Sequence, residues 1–247
     1  MKSEKRIMRE LAQPFSQEDL EWRVQAVGDY NGKPWARVLA YVTNRAIQQR
    51  LDDVVGAFGW KNNFYPLPNS VGDGAMCAIS IKFGDEWVTK YDGADNTAVE
   101  ATKGGLSGAM KRTGVQWNIG RYLYDIEAMY ADCILEEDWK KLQAHDKELY
   151  TKAEIKGADK KTKYYFYWKP KSLAAKFLPQ KYVTLPISKD IEKLAKETDT
   201  KMQDILENYG VDDVRDLFAT EAGNILALLT KKKARIEEEK NATNKTH

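Results

Sequence analysis

Between Val99 and Trp117 the apolar side of the chain recurs every three or four residues, at Val99, Thr102, Leu106, Ala109, Met110, Thr113 and Trp117. That is the period of an amphipathic helix. Gly104, Gly105 and Gly108 lie inside it, and each costs a helix about 1 kcal/mol relative to alanine. A one-sided helix must bury its apolar stripe against another element. The preceding segments offer one, because they alternate with the period of two that marks half-buried strands. "EWRVQAVG" and "PWARVLAYV" flank Asn31-Gly32, a hairpin signal, and predict strands over 21–28 and 35–42. "WKNNFYPLP", "AMCAISIKFG" and "EWVTKYDG" predict two or three more over 60–92. Ile47, Leu51, Val54 and Val55 space as a helix between the two groups, with Asn44 as cap and Gly56 as stop. Ser16, with Asp19 three residues on, reads as another helix start. Asp95 or Asn96 caps the long helix, "IGRYLYDIE" leaves it extended, and "EEDWKKLQAH" is a short helix. The fold class is therefore α+β, with an antiparallel sheet.

Residues 187–239 lack strand alternation and read as three or four short amphipathic helices, and the end "KKKARIEEEKNATNKTH" reads as a charged helix fading into a polar tail. We therefore expect two domains, 1–185 and 186–247.

The 247 residues are 31% charged and 43% hydrophobic, an ordinary globular balance. No apolar run nears the roughly 18 residues of a membrane span. The start "MKSEKRIMRELAQPF" lacks the apolar core of a signal peptide, so a cytoplasmic protein is expected. Cys77 and Cys133 read as buried thiols. With only His145 and His247 besides, neither a zinc-like cluster nor a cofactor is expected.

The net charge of +2 conceals a segregation. Residues 139–185 hold 12 Lys and Arg against 4 Asp and Glu. The same segment contains "KYYFYWKPK", where Lys163 and Lys169 flank aromatics. Cations for phosphates and flat faces for bases suit single-stranded nucleic acid. A solvated face over an ordinary aromatic strand is the plainer alternative.

No Gly-Lys-Ser/Thr phosphate loop is present, which argues against ATP hydrolysis of the usual type. His145 has no evident serine or cysteine partner for a triad. A metal-dependent nuclease could be assembled from Asp85, Glu86, Asp92 and Asp95 near Lys90, or from Asp138 with Lys140, but acids and lysines at such spacing are common. The long helix is more informative. Lys103, Ser107 and Lys111 recur every four residues, and Arg112 adjoins them, so one side carries a positive ridge. The small residues between the charges would let a polymer or a neighbouring subunit approach closely. Alternatively, they let the helix pack closely on the sheet.

"EWRVQ", "GKPWARVLAYV", "RLDDVVGAFGW", "CAISIKFGDEWVTKYDGAD" and "VEATKGGLSGAMKRTGVQWNIGRYLY" resemble, in order, the blocks of the Rad52/Rad22 family of single-strand annealing proteins in its bacteriophage form. The resemblance covers about residues 14–125. It implies a β-β-β-α core and assembly into rings or open helical arcs. It also implies a positive groove that holds single-stranded DNA with its bases outward. Such a protein pairs complementary strands without ATP, in recombination and repair of phage DNA in a bacterial host, and is not an enzyme. In eukaryotic relatives a Lys-Arg pair stands where this chain has Ser107 and Gly108. The following arginine falls at Lys111, with Arg112 beside it, and Lys103 lies one turn earlier. An arginine on the helix before the first core tryptophan, Trp60, matches Arg45 or Arg50. Ala57, with Phe58 adjacent, stands at an aromatic position, and Arg121 and Tyr122 are expected to be structural. The DNA-binding set is thus Lys103, Lys111, Arg112, Arg45, Arg50, Lys90, Lys163 and Lys169. By analogy with phage annealing proteins, residues 187–239 would dock a host single-strand binding protein or a phage exonuclease. Two other readings are the metal-dependent nuclease and a ring-forming adaptor that recruits replication proteins.

Overall fold

The computed structural model describes residues 2–68, 73–96, 101–126, 128–156 and 163–244. The chain opens on α1 (Glu4–Ala12), whose first turn is capped by the Ser3 hydroxyl accepting from the Arg6 N–H. β1 (Leu20–Tyr30) and β2 (Lys33–Val42) follow as an antiparallel hairpin. Asn31 and Gly32 both take left-handed backbone, with φ of 53° and 77°, the turn whose twist matches that of its strands. α2 (Asn44–Val55) buries Ile47, Leu51 and Val54. β3 (Trp60–Pro66), β4 (Gly74–Phe83) and β5 (Glu86–Asp95) then form an antiparallel sheet with β4 at its centre. α3 (Ala101–Gln116) packs on β4 and β5. This is the β-β-β-α core.

α3 is sewn to the sheet by polar as well as apolar contacts. The buried Thr113 hydroxyl lies 3.0 Å from the Cys77 carbonyl and 2.8 Å from that of Ala109. The Trp117 indole N–H donates to the Ile79 carbonyl at 3.0 Å. A β-carbon on Gly108 would stand 2.9 Å from that of Ala94, and one on Gly105 would stand 2.6 Å from Asn96 Oδ1. These two glycines therefore permit the close approach of the sheet, and Gly108 also borders a surface cavity.

β6 (Met129–Tyr130) adds to β2, giving the order β1-β2-β6. β7 (Asp132–Leu135), α4 (Glu136–Lys141), α5 (Ala144–Lys147), β8 (Thr151–Lys156) and β9 (Lys163–Lys169) follow, and the strands pair as β7-β9-β8. The hairpin sheet and this third sheet share a core of Ala36, Val38, Ile155, Phe166 and Trp168. The last unit contains α6 (Leu185–Glu197), α7 (Met202–Tyr209) and α8 (Ala219–Asn244). Ile191, Val211, Leu217, Ile225 and Leu229 lie in its core.

The chain divides into two compact units, residues 14–178 and residues 1–13 with 179–247. The first helix thus shares a unit with the C-terminal helices. Arg6 pairs with Asp216 at 2.8 Å and lies over the Tyr182 ring, while Arg9 pairs with Glu221 at 2.6 Å.

Several local expectations change. Ser16 starts a 3-10 turn (Gln17–Asp19) and donates to Asp19 without capping a backbone N–H. Thr43, not Asn44, caps α2, because its hydroxyl is placed to accept from the Ala46 N–H at 3.0 Å. "RYLYD" forms a 3-10 turn (Arg121–Asp125) following left-handed Gly120. α8 is 26 residues long and joins the last expected amphipathic helix and the charged helix into one. The cap of α3 falls beside residues 97–100, outside the described residues.

Candidate nucleic-acid interface

Alternation along β2 puts Arg37, Leu39 and Tyr41 on the side opposite Ala36 and Val38, which are buried. On β1, Glu21 pairs with Tyr41 and Arg23 with Leu39, so both share that outward side. Across from it, α3 presents Lys111, Arg112 and Val115. A cavity of about 420 Å³ lies between, lined among others by Tyr41, Gly108, Lys111, Arg112, Val115 and Tyr124. Tyr124 is 73% exposed, and the Arg23 guanidinium stands 5.4 Å from the centre of the Tyr41 ring.

The two cations of α3 are held differently. Burial pulls the Lys111 ammonium below the ordinary lysine value; Glu21 opposes this and Arg23 adds to it. The negative charge of an arriving phosphate would offset the cost of burial and the repulsion from Arg23. Arg112 is exposed and donates through Nε to Asp92 Oδ1 at 2.9 Å. Burial would raise the Asp92 carboxyl, but hydrogen bonds from Arg112, Gln116 and the Gly93 N–H hold it below its usual value. A guanidinium anchored through one edge keeps other N–H groups to offer a phosphate.

The other expected cations are dispersed. Lys103 is exposed near the start of α3. Arg45 is exposed on the first turn of α2, whereas Arg50 donates to the Pro14 carbonyl at 3.2 Å and lies over the Phe15 ring. Lys90 donates to the Gln116 carbonyl at 2.8 Å and sits over Trp117, so it helps close α3. Burial and then the Arg121 charge lower its pKa. Lys163 pairs with Glu154 at 3.4 Å, and Lys169 lies over Tyr150. The aromatics of β9 are mostly interior. Phe166 and Trp168 are core, Tyr167 stacks on Trp139, and Tyr165 is the more exposed.

Arg121 donates to the Val115 carbonyl at 3.0 and 2.8 Å, and Tyr122 accepts the Phe15 N–H at 3.0 Å. Both are structural, as expected. Trp60 is half-buried and donates to Asp52 at 2.7 Å. Charge and spacing do not single out Arg23, Tyr41 and Tyr124, although alternation in the hairpin places the first two on its outward side.

The candidate nuclease acids do not converge. Asp85 and Glu86 lie at one end of β5 and Asp95 at the other, while Asp92 is engaged with Arg112. Among the described residues no group of three or more His, Cys, Asp or Glu could hold a metal ion.

A β-β-β-α core with a cation-bearing helix set against a hairpin defines the class of domain. A family model described as Rad52/22 family double-strand break repair protein matches residues 3–138. The chain belongs to that family. The single-stranded DNA-binding protein DdrA of Deinococcus radiodurans is 32% identical over 129 residues, 51% of this chain and 58% of DdrA. The chain thus spans little more than half the length of that relative. No solved structure matches it. No described helix is long and apolar enough to cross a membrane.

Proposed function

We propose that the protein binds single-stranded DNA along the cleft between the hairpin and α3, and pairs complementary strands without ATP. The observation that carries this reading is the meeting of Lys111 and Arg112 with exposed Tyr41 and Tyr124 around one cavity. The cations neutralise phosphates, and the rings offer faces to unstacked bases. Pairing then needs no bond chemistry. Neutralised, spread strands meet with less repulsion. Family membership and the similarity to DdrA, a single-stranded DNA-binding protein, support the binding.

Lys103 and Arg45 extend the positive surface in this proposal. Arg50, Lys90, Lys163 and Lys169 have internal partners, and a role for them on DNA requires those contacts to open. We further propose a homo-oligomer, ring or arc, acting in phage recombination and repair. The adaptor reading applies to the C-terminal helices, where Leu185 and Leu228 are 60% and 66% exposed. A host single-strand binding protein or a phage exonuclease would dock there.

Anisotropy of a labelled single strand, titrated at several salt concentrations, tests the binding. Lys111→Ala with Arg112→Ala should weaken it about 10- to 100-fold. The salt slope should flatten by about 1.4, at roughly 0.7 per phosphate contact on a single strand. An unchanged slope would remove this cleft from the site.

A further inference from the structure

A second cavity, of about 570 Å³, is lined by Asp125 and Ile126 at the end of the turn that follows α3. Ile126 lines both cavities, so they adjoin. Tyr130, Lys171, Lys176 and Phe177 also line the second, and Asp125 is the one carboxylate among its described lining residues. All lie within the 14–178 unit. Lys171, Ser172 and the residues up to Phe177 come from beyond the part matched by the family model, which ends at 138.

The chemistry of this cavity repeats that of the first. Tyr130 is 58% exposed and is held edge-on against Trp35, with ring centres 5.9 Å apart. Phe177 stacks on Tyr122, with centres 6.3 Å apart, and Lys176 lies 4.7 Å from its ring. Lys171 is exposed, with Asp132 at a loose 3.9 Å. Two exposed lysines beside a braced, exposed ring meet the needs of a single strand. Tyr124 stands at the first cavity, immediately before Asp125 of the second. The two cavities therefore meet at residues 124–126.

We propose that the second cavity is a continuation subsite for the same single strand. There Lys171 and Lys176 take phosphates and Tyr130 stacks a base. The inference rests on the proposed binding at the first cavity. It gives the lysine-rich 139–185 segment a task that its aromatic strand does not perform.

The test measures affinity and salt slope for oligothymidylates, using the full chain in three variants. Lys171→Ala with Lys176→Ala should weaken binding of a long strand roughly tenfold and flatten its slope by about 1.4. Lys189→Ala with Lys193→Ala, in the other unit, makes the same change in net charge and should leave the slope unaltered. Lys111→Ala with Arg112→Ala should weaken binding on its own. Photocross-linking should place a thymine on Tyr130. If Lys171→Ala with Lys176→Ala behaves like the Lys189 and Lys193 control while the Lys111 variant binds weakly, the subsite is refuted and the first cavity stands. If the Lys111 variant binds normally, the cleft itself is refuted.

Discussion

Lys111 is half-buried and feels the charges of Glu21 and Arg23, and burial is the largest influence on it. A lysine whose native pKa is lowered loses its proton earlier as pH rises. DNA bound through it should therefore weaken at a lower alkaline pH than an ordinary lysine near 10.5 would give. Phosphate favours the charged form, so binding takes up a proton in that range. Lys111→Arg keeps its charge throughout and should shift this alkaline fall to higher pH. Affinity measured from pH 7 to 11 checks it, and superimposable profiles would contradict this alkaline dependence. Arg112 belongs to a different type. Its ion pair with Asp92 is more than half exposed on the arginine side, so it contributes no more than about 1 kcal/mol to the fold.

At the scale of elements, α3 explains why its sequence mixes glycines with charge. Gly105 and Gly108 sit where a β-carbon would meet Asn96 or Ala94, and the cations occupy the outer side. Gly108→Val should force α3 off β5 at a cost of about 1–3 kcal/mol, read as a lower midpoint in urea. An unchanged midpoint would mean that the close approach is not needed. The hairpin and the three-stranded sheet were legible because alternation and Asn31-Gly32 act locally. So was the apolar stripe of α3, through Ala109, Met110, Thr113 and Trp117. The third sheet was not. Its middle strand reads as basic and aromatic, yet Phe166 and Trp168 are buried against Ala36 and Val38, more than a hundred residues earlier. Long-range packing of this kind leaves no local period. The site was half legible. Lys111 and Arg112 stood out by charge and spacing, whereas the burial of Lys111 and the arrival of Tyr41 and Tyr124 depend on the tertiary fold. The internal partners of Arg50 and Lys90, a carbonyl and a ring each, are likewise invisible to spacing.

At the scale of the whole molecule, both chain ends build one unit. α1 reads from sequence as a charged start, but Arg6 and Arg9 are largely enclosed by Asp216, Glu221, Tyr182 and Phe218. Arg9 also donates to the Tyr209 carbonyl at 3.1 Å. Arg9→Ala should therefore destabilise the helical unit by about 1–3 kcal/mol, seen in thermal unfolding followed by circular dichroism. Single-strand binding by the 14–178 unit should hold at temperatures below that transition. A loss of binding in the folded variant would show that the first helix serves the interface as well.

Nucleotide-independent pairing through the cleft beside α3 is tested most directly by mixing two complementary labelled oligonucleotides with the protein, without ATP or magnesium, and following duplex formation by energy transfer. The protein should speed pairing well above the spontaneous rate, and Lys111→Ala with Arg112→Ala should return it towards that rate. Pairing no faster with the protein than without it would rule out this function.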